Sequence, residues 1–222
     1  MRLLSARLLA EGLGTFLLVA AVVGSGIAAQ RLSPSDVGLQ LLENSIATAL
    51  ALVAILLALG PVSGAHLNPV VSVAESLGGR LPAKEALGYA VVQVLGGCAG
   101  AVAANLMFDL PAVNISGRER WGAGLWLGEA VATLGLLLVV RGVVRARAGA
   151  APYAVGAYIG AAYWFTSSTS FANPAVTLAR TLSDTFAGIA PSSVLPFVAA
   201  QAVGAALAVA AGRVLFPPQE AA

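Results

Sequence analysis

The fold this sequence predicts is an all-α membrane protein with six transmembrane helices and two re-entrant half-helices in an inverted repeat. Three observations predict it. The 222 residues are 59% hydrophobic and only 10% charged, a balance that suits lipid as the solvent. The apolar runs are roughly 20 residues long without strand-like alternation, and in lipid only helices or a closed barrel satisfy the backbone. Finally, Ser170 to Ala175 (Ser-Phe-Ala-Asn-Pro-Ala) repeats the pattern of Ala65 to Val70 (Ala-His-Leu-Asn-Pro-Val), and each Asn-Pro opens a stretch too short to cross a bilayer.

Full spans are expected at 7–29, 39–60, 84–107, 124–144, 152–167 and 192–215, with half-helices at 68–78 and 173–183. Residues 1–30 imitate a secretory signal, with Arg2, an apolar run and small residues before Gln30. Glu11 inside that run, matched by Glu129, reads instead as part of a permanent first helix. Polar or Pro/Gly-bearing connections separate the spans at Arg31 to Asp36, Asp109 to Arg120 and Arg141 to Pro152. The fifth span is the shortest. Irregular backbone leading into the two short pieces is tolerable only where it lines a cavity or is buried in protein.

The chain reads as one domain over 1–222, built from a first repeat at 1–108 and a second at 121–216. Glu11-Gly-Leu-Gly-Thr opens the first span as Glu129-Ala-Val-Ala-Thr opens the fourth. Tyr89, Gln93 and Gly96 in the third span answer Phe197, Gln201 and Gly204 in the sixth. Three spans per half is an odd number, so the second half is inverted relative to the first, and such repeats place function near the midplane at half-helix termini. Arg2, Arg7, Arg80, Lys84, Arg141, Arg145, Arg147 and Arg213 fall on the side of the termini, against Arg31, Arg118, Arg120 and Arg180 on the other. The positive-inside rule then puts both termini in the cytoplasm.

Asn68 and Asn173 are good N-caps, and Pro69 and Pro174 suit the first helical position, where no N–H is needed. With its oxygen on the helix N-terminus, each Asn can turn an amide N–H toward a lumen. Two helix N-termini meeting at mid-membrane supply about half a positive charge each, which opposes cations and protons. A neutral solute with oxygen acceptors meets no such barrier. The pattern predicts a path for uncharged polar solutes, with no cofactor and no metal. One histidine (His66) and one cysteine (Cys98) exclude a His cluster, a multi-Cys metal site and an internal disulfide, and a net charge of +2 gives no argument for nucleic acid.

Glu11 and Glu129 are costly in a membrane, and their repeat-related places suggest acceptors for the N–H groups of the loops before the half-helices. A proton relay is the sharper alternative, and it lacks partner carboxylates. Glu43 is expected to do similar work in the second span. His66, two residues before the Asn68 cap, is expected in the cytoplasmic vestibule, as a structural residue in preference to a pH gate. Gly96-x-x-x-Gly100 and Gly204-x-x-x-Ala208 read as packing seams, with Cys98 small and buried in the first. An intramembrane hydrolase would have to use Ser63 with His66, whose spacing fits no tight nucleophile elbow. A secondary transporter shares the repeat logic but would carry more intramembrane charge for ion coupling.

Over nearly its whole length the chain resembles the aquaporin and glycerol-facilitator family, the major intrinsic proteins. Gly60-Pro-Val-Ser-Gly-Ala-His-Leu-Asn68-Pro69 resembles the family's first signature, Phe171-Ala-Asn173-Pro174-Ala175 the second, and Glu11, Glu129, Gln93 and Gln201 its paired acidic and amide residues. The resemblance implies a homotetramer with one pore per subunit. Two departures stand out. The first motif ends in Val70 where Ala is usual, expected to set a bulkier side chain beside the central constriction. Val176 follows the second motif where the family usually has an Arg.

Carried across from the family, the four-residue selectivity filter falls on Thr48, Tyr163, Ser170 and Val176. The small side chains at Thr48, Ser170 and Val176 imply a wide outer gate that admits solutes larger than water, including glycerol. The segment Ser170 to Gly188 is similar to bacterial members associated with arsenic resistance, which implies uncharged arsenite as a further solute and the bacterial plasma membrane as the location. Arg180, four residues after Val176 on the same helix face, is expected either to reach back toward the gate or to snorkel outward beside Asp184.

Overall fold

The computed structural model describes residues 3–217. Arg2, counted above for orientation, lies outside the described residues. The chain forms α1 (Leu4–Leu32), α2 (Val37–Ser63), α3 (Pro69–Leu77), α4 (Ala83–Met107), α5 (Ala123–Arg147), α6 (Ala151–Phe165), α7 (Pro174–Ala179) and α8 (Pro191–Leu215). A 3₁₀ turn at Ala148–Ala150 joins α5 to α6, and another at Arg180–Leu182 continues α7.

Local chemistry sets the element ends. The Asp36 side chain accepts from the Leu39 amide at 2.9 Å and starts α2. At the other end, Gly64 takes φ +92°, a left-handed conformation that turns the chain toward the first half-helix. Asn68 and Asn173 cap α3 and α7, each followed by proline at the first helical position. Glu85 lies in the first turn of α4, where the helix dipole favours an anion.

Packing follows the inverted repeat. α1 lies against α2 and α4, α5 against α6 and α8, and α2 meets α6 across the two halves. The half-helices are held between them, α3 on α4 and α7 on both α4 and α8. Small residues permit the closest approaches: a Cβ at Gly96 or Gly100 would strike the carbonyl of Gly12 or Phe16 on α1, and one at Gly204 the carbonyl of Ala130 on α5. Cys98 packs against the core beside this seam and is only partly buried.

Four of the helices, and the stretch Ala123–Phe165, are long and apolar enough to cross a membrane. That stretch holds both α5 and α6. α6 alone has 15 residues, or about 22 Å, against a hydrocarbon thickness of about 30 Å. The fifth span is thus the shortest, as expected. Leucines such as Leu9, Leu13, Leu50, Leu95 and Leu127 cover the outside of the bundle, while Glu11, Glu129, Gln93 and Gln201 are fully buried inside. This is the arrangement of a protein dissolved in lipid.

Candidate functional site

The two capping asparagines meet. Asn68 Nδ2 donates to the Ala172 carbonyl at 2.8 Å, and Asn173 Nδ2 donates to the Leu67 carbonyl at 2.8 Å. Their side-chain oxygens are engaged as caps: Asn68 Oδ1 accepts from the Val70 amide at 3.0 Å, and Asn173 Oδ1 from those of Ala175 and Val176 at 3.0 and 3.3 Å. An Asn amide carries two N–H groups. One is spent across the pseudo-two-fold axis, and the second makes no hydrogen bond among the described residues.

The loops before the caps hold strained backbone. Ala65 and Leu67 have φ of 46° and 51°, and their counterparts Ser170 and Ala172 have φ of 51° and 45°. Left-handed non-glycine residues cost on the order of 1–2 kcal/mol each. The buried carboxylates offset this. Glu11 accepts from the amides of His66 (2.9 Å) and Leu67 (2.7 Å), the Ser63 hydroxyl (2.6 Å) and the Gln93 side chain (2.8 Å). Glu129 accepts from the amides of Phe171 (2.8 Å) and Ala172 (2.9 Å) and the Gln201 side chain (2.6 Å). With these N–H groups turned onto carboxylates, the carbonyls of Gly64, Ala65, His66, Ser170 and Phe171 make no hydrogen bond among the described residues. All five residues line one cavity of about 770 Å³.

The two ends of this cavity differ in chemistry. Arg80, Arg141, Arg145 and Phe216 line the end on the side of the termini, where Arg80 pairs with Glu75 at 2.6 Å and Arg141 reaches the Phe216 carbonyl at 3.4 Å. Thr48, Tyr163, Ser170, Val176 and Arg180 also line the cavity, with Tyr163 donating to Thr48 Oγ1 at 3.3 Å. Between the ends the wall is mostly aliphatic, with Leu18, Val22, Leu52, Leu136 and Ile159.

His66 and Phe171 occupy equivalent places in the two loops. Each ring meets an aromatic of the flanking helix edge-on: His66 with Tyr89 at 5.4 Å between centroids, Phe171 with Phe197 at 5.3 Å. His66 Nδ1 lies 3.1 Å from the Ser72 hydroxyl, while the Ser63 hydroxyl donates to Glu11. Ser63 and His66 are therefore each engaged elsewhere and do not form a nucleophile–base pair. On the connection between α2 and α3, burial lowers the His66 pKa, opposed by the charges of Glu11 and Glu75.

Three expectations need correction. Val70 does not line the cavity. It packs with Leu137 and Ala208, and the lining residue is Val71. Glu43 takes no part in the half-helix loops, since its carboxylate accepts from the Ser33 hydroxyl at 2.9 Å. Asp184 does not pair with Arg180, because it accepts from the Gly117 amide at 3.0 Å and the Ser116 hydroxyl at 3.4 Å. The Arg180 side chain does not snorkel; the residue is 2% exposed.

Sequence reasoning also overlooked Ser72 and Thr177, four residues after each capping Asn. Gln93 donates to Ser72 at 3.2 Å and Gln201 to Thr177 at 2.9 Å, tying each half-helix to its flanking span. Their shared spacing from the caps was the available signal. The cavity wall and the basic end at Arg141 and Arg145 had no comparable signature.

A helical bundle with two capped half-helices joined tip to tip on one long cavity, lined from Arg145 at one end to Arg180 at the other, defines a membrane channel of inverted-repeat design. The chain belongs to the major intrinsic protein family, whose profile matches residues 2–167. It is 50% identical to Aquaglyceroporin AqpS of Rhizobium meliloti (strain 1021) over 97% of this chain and 92% of that protein. It is 37% identical to Aquaporin Z of Rhodopseudomonas palustris over 67% of both chains. Among solved structures, the aquaglyceroporin from Plasmodium falciparum matches with a TM-score of 0.76 at 23% identity, covering 97% of this chain and 98% of that one, a likeness of fold.

Proposed function

We propose that this protein is a passive channel for small neutral polar solutes, with glycerol as the reference solute and water and uncharged arsenite beside it. The observation that carries the reading is the reciprocal bonding of Asn68 and Asn173 on the cavity, which leaves one amide donor of each for a passing hydroxyl. Two N-terminal dipoles pointing at that place oppose cations. The name of the AqpS relative supports glycerol in particular.

Thr48, Tyr163, Ser170 and Val176 form the size gate of this reading. At Val176 an aliphatic side chain stands where the family usually has an Arg, leaving the gate wider and without a donor there. Glu11 and Glu129 act as fixed anchors, since their carboxylates receive four and three donors respectively. The termini are assigned to the cytoplasm of a bacterial plasma membrane, and the assembly to a homotetramer with one pore per subunit.

Stopped-flow light scattering of proteoliposomes tests the reading. Glycerol and arsenite enter faster than into empty liposomes, and Val176→Arg slows both by about tenfold or more, since an extra guanidinium narrows the gate and adds a desolvation cost. Water flux without glycerol or arsenite flux would sink the wide gate. Flux that depends on a proton or sodium gradient would favour a coupled transporter instead.

A further inference from the structure

The chain lacks a cation at Val176, yet a guanidinium stands on the same conduit one helical turn away. We infer that Arg180 is a specificity-determining residue that excludes cations at this end of the channel, separate from the size gate at Val176. The inference rests on the channel reading above and adds to it a division of labour that follows from the valine at position 176.

Four observations support it. Arg180 lines the same cavity as Val176 and Ser170 although it is 2% exposed overall. Its guanidinium carbon lies 3.5 Å from the centroid of Phe171, and Nε donates to the Ala187 carbonyl, so the head is fixed on two sides. The described ion pairs are Arg7 with Glu85 and Arg80 with Glu75, and Asp184 is turned onto Gly117 and Ser116. No carboxylate therefore forms an ion pair with Arg180, and the Glu129 charge that acts on it from a distance is already taken up by three donors. Its Nη atoms make no hydrogen bond among the described residues and are not among the polar atoms sealed without a partner, which leaves them free for a solute in the cavity that Arg180 lines.

Geometry makes the position effective. α7 runs outward from the tip-to-tip contact, so position 180 lies about 6 Å beyond position 176 along its axis. Helical side chains lean back toward the N-terminus, which aims the guanidinium at the approach to Val176. The Phe171 ring that supports it belongs to the loop anchored by Glu129, so the charge is tied to the pore wall itself. A second guanidinium, Arg120, stands 4.9 Å from the same ring, held by the Gly188 carbonyl at 2.9 Å, and strengthens the positive field there. The gate at Val176 then sorts by size, and Arg180 sorts by charge.

Urea and guanidinium are nearly the same shape and differ by one charge, so their permeability ratio reads charge alone. Proteoliposomes carrying the wild type should pass urea and exclude guanidinium. In Arg180→Leu the guanidinium-to-urea ratio should rise about tenfold, the scale expected for removing one unit charge some 10 Å from a passing cation at an effective dielectric of about 20. In Val176→Arg/Arg180→Leu, which moves the cation one turn inward, exclusion should return. A ratio unchanged in Arg180→Leu, with wild-type urea flux intact, would overturn the inference while leaving the channel reading standing. Absence of urea flux in the wild type would overturn the inference, and absence of glycerol flux as well would overturn the channel reading with it.

Arg180→Lys covers the case in which the leucine variant fails to fold. It should fold and keep guanidinium out while altering the glycerol-to-urea ratio, because a lysine keeps the charge and loses the planar stack on Phe171. If neither single variant reaches the membrane as folded protein, Arg180 is a structural anchor and the inference fails.

Discussion

At Glu129 one carboxylate receives the Phe171 and Ala172 amides and the Gln201 side chain, and through them holds a loop whose Ser170 and Ala172 would relax if released. Glu129→Gln replaces one acceptor oxygen with a donor that faces other donors. It is expected to destabilise the protein by about 3 kcal/mol, read as a lower thermal midpoint in detergent. A loss under about 0.5 kcal/mol, within the range of a neutral surface change, would mean that the loop is held by something else. His66 gives the pH prediction. Its folded pKa is depressed, first by burial, so the folded state binds fewer protons than the unfolded chain below about pH 6.5. Stability is thus full above that pH and falls as pH drops through it, while flux stays constant from about pH 7 to 8. His66→Gln should flatten the acid slope of the melting temperature, and a steep flux change near neutrality would identify a gate instead.

Among the elements, the half-helices and the glycine seams were legible because each rests on local chemistry. A cap needs Asn followed by Pro, and a close helix crossing needs small residues at fourfold spacing. Gly100 shows how strict the second condition is. A Cβ there lands on the Phe16 carbonyl, so Gly100→Val should drive α1 and α4 apart and abolish folded protein in the membrane, whereas Cys98→Ala should accumulate normally. The rotation of α3 was not legible. Whether Val70 or Val71 meets the lumen depends on Leu137 of α5 and Ala208 of α8, which lie far along the chain. Glu43 was misread for a related reason. Its hydroxyl partner, Ser33, is ten residues away across a turn, and the lack of a repeat-related carboxylate was the one mark that set it apart from Glu11.

For the whole molecule, the inverted repeat was legible in six paired residues: Glu11 and Glu129, Gln93 and Gln201, Asn68 and Asn173. The aliphatic wall of the cavity was not, since any apolar helix face supplies leucine and valine whether it meets lumen or lipid. The meeting of Phe171, Arg180 and Arg120 was also invisible, because it joins a loop, the end of a half-helix and the connection before α5. The Asn68–Ala172 and Asn173–Leu67 bonds span the halves, so Asn68→Ala and Asn173→Ala should couple: the double variant should lose less stability than the sum of the singles by about 0.5–3 kcal/mol. Strict additivity in thermal unfolding would show that the two bonds act alone. These reciprocal bonds also bear on biosynthesis. While the ribosome has delivered only the leading portion, Asn68 and Leu67 have no counterpart to seat against, and no permeation route exists. Each bond joins the leading half to the trailing one, so neither can form until the second capped half-helix has been made and inserted.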